Sequence, residues 1–541
     1  MRLSRLFFAF ALAATVAVKA SAAPLSLTLV HVNDTHSYAA GSDARALPCY
    51  DDTHCRGGHA RLAAFIEQQK ASGDNVLALD AGDSWQGTLF FDAADPSFSV
   101  ALERLMPYEA LTLGNHEFDL GCEAAARYVN ALDKPVLAAN LAPEPDCPLS
   151  HAALKPYRLF SFGRETVAVI GLANDEVREI SKACPHTHFL DRQAALEAAV
   201  AELEAKNVHR IIVLSHLGYD VDQDLARKVR GVDVIVGGHT HTILGKHAGS
   251  EGPYPTLVVR DDGSRALVVQ AGLQARFAGS LTVVFDEAGN VTSYVGELRE
   301  LTADMPRQAD VQALIAEQSR RVTAHLHETL ARTEDMGDDG LDYCRRSECP
   351  SGLITADAYL DFGKAYGASV ALVNAGSIRS ALPVGEVSYA DAQNIHPFGN
   401  RLGVIELSGR TLRSALEHGL SADQAVGPRL LQPAGLRYSV HGARPAGTRL
   451  GEVQIRQADG TWRELRDEEP VRVVLCDYLL KGGDAFSMLA GVGQRTQLLS
   501  SEQGLTDLEV FTDYIRTHRR GKKLLLPPPE FGRITRLPDD K

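Results

Sequence analysis

The chain has 541 residues, and its 55 lysines and arginines against 69 aspartates and glutamates give a formal net charge of −14. Its hydrophobic share of 45% and charged share of 23% are ordinary globular values, which excludes a disordered, collagen-like or coiled-coil protein. The length predicts two domains with large cores. So acidic a protein is not expected to bind a nucleic-acid polymer, and an anionic substrate would need positive charge supplied by its own site.

The first 22 residues have the order of a secretory signal peptide. Arg2 and Arg5 precede an apolar run over 6–18, and the small residues at 20–22 supply a cleavage site. We therefore predict export to the periplasm or the extracellular space. An uncleaved anchor is the alternative, although the run is short for a membrane span. The C-terminus has no apolar tail, so no stable membrane anchor is expected.

From residue 25 to about 301, short apolar runs alternate with polar clusters. The apolar runs at 27–30, 76–79, 111–113, 211–214 and 234–236 lead into polar clusters at 31–36, 80–83, 114–119, 215–216 and 237–241. Each run predicts a buried strand. Helical stretches at 61–67 and 193–206 lie between them. This alternation predicts an α/β domain in which the polar clusters gather at one edge of a sheet.

A different pattern follows this repeat. Residues 304–336 are charged and poor in strand formers, which predicts a long linker helix. Apolar runs at 370–373 and 471–475 then predict strands of a second mixed α/β domain. We therefore divide the chain into a signal peptide (1–22), a first domain (23–303), a linker helix (304–336) and a second domain (337–541).

Eight cysteines are present, and export permits disulfide bonds. Cys49 and Cys55 bracket one short polar stretch, and Cys344 and Cys349 bracket another. A covalent clip would order a loop that has little core of its own, so we predict these two disulfides, with unpaired thiols as the alternative. The pairing of the other four stays open: Cys122, Cys147, Cys184 and Cys476.

The five polar clusters carry side chains suited to metal binding. They are Asp34, His36, Asp83, Asn115, His216, His239 and His241. Carboxylate, amide oxygen and imidazole together suit zinc, manganese or cobalt. Their number exceeds what one tetrahedral ion needs, so we predict two divalent ions bridged by one carboxylate. A lone His or Asp in a loop is usually a surface or turn residue, but equivalent positions after five strands favour one shared site.

These motifs resemble the set found in calcineurin-like metallophosphoesterases. The motifs are Asp34-Thr35-His36, Gly82-Asp83, Gly114-Asn115-His116-Glu117, Ser215-His216 and Gly238-His239-Thr240-His241. Over nearly the whole mature chain, the sequence resembles more closely the secreted 5′-nucleotidase family, which includes the periplasmic UDP-sugar hydrolases. The resemblance implies a four-layer α/β sandwich for the first domain, joined by the linker helix to a mixed α/β substrate-binding domain.

The resemblance also implies a role for each metal-type side chain. Asp34, His36, Asp83 and His241 would hold one ion, and Asp83 would bridge to a second ion held by Asn115, His216 and His239. Nucleotidases of the family often have Asn or Gln at the position of His241. His116 and Asp119 would form a catalytic dyad, in which Asp119 orients an imidazole that assists phosphoryl transfer. The alternative for Asp119 is a helix cap.

The second domain carries residues that resemble the family's nucleotide site. Arg345 and Arg379 would bind phosphate, because guanidinium is planar and permanently charged. Phe398 and Tyr478 would sandwich the base, although the family more often has Phe at the second position; core packing is the alternative for both. Asp484 would bind the ribose hydroxyls, and Asn374 and Asn400 would contact ribose or base. Rotation at a hinge over 335–341 would bring the two domains together.

The resemblance implies a metal-dependent enzyme that releases phosphate from nucleoside 5′-monophosphates. Alternatives with the same chemistry are hydrolysis of UDP-sugars or dinucleotide pyrophosphates, 2′,3′-cyclic nucleotide phosphodiesterase activity, and a thiosulfohydrolase-like role against which Phe398 and Tyr478 count. A secreted nucleotide-binding protein is a different class, and the His116–Asp119 pair argues against it. The preferred nucleotide, the native metal and the oligomeric state stay open at this point.

Overall fold

The computed structural model describes residues 24–44, 46–50, 54–91, 96–182, 186–490, 497–501 and 503–538. The predicted signal peptide and Cys184 therefore lie outside the described residues. Among the helices of the described part, none combines the length and the apolar character that crossing a bilayer requires.

The first half of the chain alternates strands and helices, as its apolar runs predict. The strands are β1 (Leu25–Val32), β2 (Val76–Asp80), β3 (Ala110–Thr112), β4 (Val136–Leu137), β5 (Leu141–Pro143), β6 (Leu154–Lys155), β7 (Tyr157–Phe162), β8 (Glu165–Leu172), β9 (Thr187–Phe189), β10 (Ile211–Ser215), β11 (Val234–Val236), β12 (Thr256–Val259), β13 (Arg265–Val269), β14 (Phe277–Phe285) and β15 (Val291–Glu300). The helices are α1 (His59–Ser72), α2 (Ser97–Leu105), α3 (Cys122–Ala131), α4 (Val177–Ile180), α5 (Arg192–Ala205), α6 (Tyr219–Lys228) and α7 (Ala309–Leu326).

Most of these strands form two sheets that pack face to face. Their orders are β15-β14-β1-β2-β3-β4-β6 and β12-β13-β11-β10-β8-β7. The central strands β1 to β4 are parallel, as are β8, β10, β11 and β13. Leu29 and Leu79 of the first sheet share a buried core with Val169 and Leu214 of the second. The apolar runs are continuous because these strands are covered on both faces.

Helices cover the two outer faces of the sheet pair. On the first sheet, Leu62 of α1 and Ile315 of α7 belong to one buried cluster. On the second sheet, Leu196 of α5 and Leu225 of α6 belong to another. The order helix, sheet, sheet, helix confirms the predicted four-layer α/β sandwich.

The second half is a mixed α/β structure, also as predicted. Its strands are β16 (Thr329–Thr333), β17 (Val370–Asn374), β18 (Gly385–Ser388), β19 (Leu402–Ser408), β20 (Leu431–Ala434), β21 (Leu436–Val440), β22 (Leu450–Arg456), β23 (Trp462–Glu464), β24 (Pro470–Cys476), β25 (Gln497–Leu499) and β26 (Ile534–Arg536). Its helices are α8 (Leu341–Cys344), α9 (Pro350–Gly363), α10 (Tyr389–Ile395), α11 (Gly409–Gly419), α12 (Asp477–Leu480) and α13 (Asp507–His518). The main sheet has the order β20-β17-β24-β19-β25, and a second sheet has the order β23-β22-β21-β26.

The linker helix is shorter than the predicted span of 304–336. Helix α7 covers Ala309–Leu326, and the side chain of Gln308 caps it by accepting a hydrogen bond from the Val311 N–H. Strand β16 follows at once and pairs antiparallel with β18. Leu330 is fully buried in the core of the second half. The helix therefore ends early because the residues after it form a buried strand that pairs with a distant strand. The local charge pattern does not show this pairing.

Both predicted disulfides are present. They join Cys49 to Cys55 and Cys344 to Cys349. Among the described cysteines, Cys147 and Cys476 are buried thiols.

Candidate dimetal site and nucleotide site

The carboxyl ends of five strands meet at one end of the sandwich. Asp34 and His36 follow β1, Asp83 follows β2, Asn115 follows β3, His216 follows β10, and His239 and His241 follow β11. Three of these strands belong to the first sheet and two to the second. The metal-type side chains therefore converge where the two sheets meet.

One group of donors surrounds Asp34. The Nε2 atoms of His241 and His36 lie 3.3 and 3.7 Å from Asp34 Oδ1, and they are 2.9 Å apart. His241 is the most open of the three, with a side chain 40% exposed. One carboxylate oxygen and two imidazole nitrogens facing one point are a donor set that suits zinc or a similar ion.

A second group surrounds Asp83. His216 Nε2 lies 3.2 Å from Asp83 Oδ2 and 3.7 Å from Asp34 Oδ1. One donor atom each from Asp83, His216 and His239 lies within 4.8 Å of the others, and the same holds for Asp83, His36 and His116. Asp83 thus borders both groups, which is the position that a bridging carboxylate needs.

Several buried polar atoms in this cluster lack hydrogen-bond partners within the described chain. They include Asp34 Oδ1, Asn115 Oδ1 and His216 Nε2. Burial would raise the pKa of Asp34, but the nearby imidazoles of His216 and His241 lower it to about 2, so its carboxylate is ionised. Because buried polar atoms are almost always hydrogen-bonded, unsatisfied acceptors that converge on one place fit bound cations.

The backbone is strained at most of these positions. The φ angles of Asp34, His36, Asp83, His239 and His241 are 50°, 46°, 58°, 74° and 58°. Non-glycine residues rarely adopt this left-handed region, and such strain clusters at functional sites where the surrounding structure enforces it. The turns at the strand ends therefore direct these side chains into the cluster, and the surrounding structure stabilises the strained backbone.

Buried side chains without a predicted role hold these turns in place. Glu117 accepts hydrogen bonds from the backbone N–H groups of Asp83 at 3.1 Å, Ser84 at 2.8 Å and Gly114 at 2.7 Å. Gln270 Nε2 donates to the Gly238 carbonyl at 2.7 Å. The sequence offers a signal for Glu117, because this residue lies inside one of the motifs. Gln270 lies far from every motif, so its role is visible only in the tertiary structure.

His116 and Asp119 form the predicted pair. His116 Nδ1 and Asp119 Oδ2 are 2.7 Å apart, and Ser181 Oγ donates to the other carboxylate oxygen at 2.8 Å. Burial would lower the pKa of His116, but Asp83 and the bond to Asp119 raise it to about 9. Helix α3 begins after Gly121, so Asp119 is not its N-terminal cap and that alternative is wrong.

The two aromatic residues predicted to bind the base lie on the surface of the second half. Phe398 is 53% exposed and Tyr478 is 42% exposed, so core packing does not account for them. The Arg379 guanidinium lies 5.4 Å from the Phe398 ring centroid. A Cβ at Gly483 would come 2.5 Å from Tyr478 Cζ, so the glycine backbone lies close against the Tyr478 ring.

The polar residues predicted for the nucleotide site have defined positions. The Tyr478 hydroxyl donates to Asp484 Oδ1 at 2.9 Å, and the Asp484 N–H donates back to this hydroxyl at 3.0 Å. Asn400 Nδ2 donates to Asp507 Oδ2 at 3.0 Å. Asn374 is buried at the end of β17, and Arg345 is half-buried in the disulfide-closed segment.

Comparisons with known proteins agree with this architecture. Residues 27–242 match the calcineurin-like phosphoesterase family, and residues 329–491 match the 5′-nucleotidase C-terminal domain. The chain is 31% identical to a 5′-nucleotidase of Bos taurus over 95% of its own length and 91% of the relative, and 31% identical to that of Homo sapiens over 94% and 90%. The chain belongs to the 5′-nucleotidase family.

Solved structures resemble this 5′-nucleotidase family member over nearly its whole length. A 5′-nucleotidase precursor from Thermus thermophilus is 34% identical, with a TM-score of 0.62, over 95% of this chain and 100% of that one. The NAD nucleotidase of Haemophilus influenzae is 23% identical, with a TM-score of 0.73, over 95% and 99%. The second likeness is one of fold.

In this 5′-nucleotidase family member, a cavity of about 1040 Å³ lies between the first and second halves of the chain. Asp119 and Ser181 line it from the first half, Arg321 from α7, and Arg401 and Glu509 from the second half. Asp119 thus faces residues of the second half across open space.

Proposed function

We propose that this protein is a metal-dependent hydrolase that releases phosphate from nucleoside 5′-monophosphates. The observation that carries the proposal is the convergence of seven metal-type side chains with the His116–Asp119 pair at one end of the sandwich. Membership of a family whose curated relatives are 5′-nucleotidases supports the substrate class.

The ligand assignment follows the two groups of donors. Asp34, His36 and His241 would hold one divalent ion, and Asn115, His216 and His239 would hold the other, with Asp83 shared between them. When bound, two such ions neutralise phosphoryl charge and lower the pKa of a coordinated water. The donors suit zinc, manganese or cobalt. Glu117 holds the backbone of Asp83 in place for this role by accepting a hydrogen bond from its N–H.

His116 supplies the proton chemistry. Asp119 accepts a hydrogen bond from Nδ1 and thereby fixes the orientation of the imidazole. Ser181 holds the second carboxylate oxygen, so the carboxylate cannot rotate away. Nε2 of His116 is then available to stabilise the transferring phosphoryl group or to protonate the leaving oxygen.

The second half would select the nucleotide. Phe398 and Tyr478 offer exposed rings, and stacking a base on an aromatic ring stabilises binding by about 1–3 kcal/mol with little base preference. Arg345 and Arg379 would hold the phosphate. Asp484 would bind the ribose hydroxyls, and Asn374 and Asn400 would contact ribose or base. Rotation at 335–341, where Gly337 and Gly340 have positive φ angles, would bring the bound nucleotide to the metals.

The signal-like first 22 residues and the two disulfides support an exported protein, periplasmic or extracellular.

A substrate panel tests the proposal. Purified protein with manganese should hydrolyse AMP with a higher kcat/KM than UDP-glucose, NAD, a 2′,3′-cyclic nucleotide or a thiosulfate adduct. A chelator should abolish phosphate release, and manganese, cobalt or zinc should restore it. Faster hydrolysis of any other panel member would overturn the substrate class, and activity that survives chelation would overturn the metal requirement.

A further inference from the structure

A second group of metal-type side chains lies on a two-stranded ribbon outside the candidate dimetal site. Strands β5 and β9 pair antiparallel, with Pro143 opposite Thr187. The next position places Glu144 opposite His186, and the Glu144 N–H donates to the His186 carbonyl at 3.0 Å. His188 stands two residues further along the strand. Because side chains alternate across a strand, Glu144, His186 and His188 share one face.

A tight turn brings a second carboxylate to the same face. The Cys147 N–H donates to the Glu144 carbonyl at 2.9 Å, which closes a turn with Pro145 and Asp146 at its centre. Proline at this position is pre-set for such a turn. The turn folds Asp146 back so that its Oδ2 lies 3.6 Å from His186 Nε2.

The donors are close enough to share one ion. His186 Nδ1 lies 3.3 Å from Glu144 Oε2, and one donor atom each from Glu144, Asp146 and His186 lies within 4.8 Å of the others. His188 Nε2 is hydrogen-bonded to the other Glu144 oxygen. The side chains are 44–64% exposed, so an ion could enter and complete its shell with water.

We propose that Glu144, Asp146 and His186 form a further divalent-metal site of the zinc class. Imidazole with carboxylate oxygens suits zinc better than calcium or magnesium, which prefer oxygen ligands alone. Glu144 and Asp146 bring two negative charges to the site, whereas Arg178, whose Nη2 lies 3.4 Å from His188 Nδ1, brings one positive charge. His188 acts as a positioning residue that holds the Glu144 carboxylate towards the ion.

A metal ion at this site would join the turn at 144–147 to the residues next to β9. Arg178 Nη2 donates to the Thr187 carbonyl at 2.6 Å, which ties helix α4 to the same strand. Ser181, which immediately follows α4, donates to Asp119 of the dyad. A metal ion at the ribbon would therefore stabilise α4 and Ser181, which supports Asp119. We expect a higher melting temperature as the consequence.

Zinc binding by matched variants tests the proposal. Wild-type protein and the His186→Ala and Asp146→Asn variants would be dialysed against zinc chloride, and bound zinc per chain measured by atomic emission. The control is His151→Ala, which removes an exposed imidazole from the same half of the chain. We expect wild type and the control each to bind one more zinc per chain than either variant. We also expect zinc to raise the melting temperature of wild type more than that of either variant.

Equal zinc content in wild type and both variants would overturn the proposal, and the cluster would then be an ion-pair network. A failure of the dimetal assignment would give a different result. The His186→Ala variant keeps all the dimetal residues, so in that case it would lack the zinc expected at the dimetal site. Urea unfolding of each variant verifies that lost binding is not lost folding.

Discussion

Glu117 offers a quantitative test of how the ligand turns are supported. Its buried carboxylate accepts hydrogen bonds from the backbone N–H groups of Asp83, Ser84 and Gly114. Glu117→Ala would leave these three donors without acceptors. An orphaned buried donor costs about 1–3 kcal/mol, and water entering the new cavity would recover part of the loss. We therefore expect the free energy of unfolding to fall by about 3–6 kcal/mol.

Urea unfolding of metal-free protein measures this loss directly. The matched control is Glu123→Ala, since Glu123 lies on α3 with its side chain 80% exposed and pairs with Arg127 at 3.7 Å. Loss of such a surface pair should change the free energy of unfolding by about 0.5 kcal/mol or less. An unchanged midpoint for Glu117→Ala, or an equal loss in both variants, would refute the assigned role of Glu117.

Three further results are expected. His116→Ala should lower kcat for AMP by about 10²–10⁴-fold, while bound manganese stays constant because the residue-116 backbone N–H still holds Asp83 Oδ1; an unchanged kcat would contradict the dyad. Tyr478→Ala should raise KM for AMP by about tenfold or more and leave KM for a small aryl phosphate unchanged, whereas equal effects would rule out base stacking. Burial lowers the pKa of His396 to about 3 from 6.5, so its neutral ring supports folding above pH 6.5 and this stability is lost as the pH falls towards 3. The urea midpoint of His396→Asn should accordingly fall less between about pH 7 and pH 5 than that of wild type, and an equal fall would contradict this.

Local patterns predicted much of this molecule. The continuous apolar runs at 27–30 and 211–214 became the buried strands β1 and β10, because a strand covered on both faces needs apolar residues on both. The short cysteine spacings predicted both observed disulfides, since residues so close along the chain meet with little loss of entropy. The order of the motifs pointed to the family that the comparisons show.

Other features depended on contacts between distant parts of the chain. The patterns did not reveal that β1 and β10 belong to different sheets, nor that the candidate site lies where these sheets meet. They gave Glu117 and Gln270 no role, because hydrogen bonds to the backbone of another loop leave no local trace. They also extended α7 through residues that instead pair with β18.

By itself, the sequence determined which strands are buried, which side chains end them and which chemistry those side chains favour. The tertiary structure decided how close these side chains come, which polar atoms are left unsatisfied and which buried groups hold the turns. The physical reason is that periodicity and residue type act over a few neighbours, whereas the packing of two sheets and the partners of a buried carboxylate are set by residues far apart in the chain.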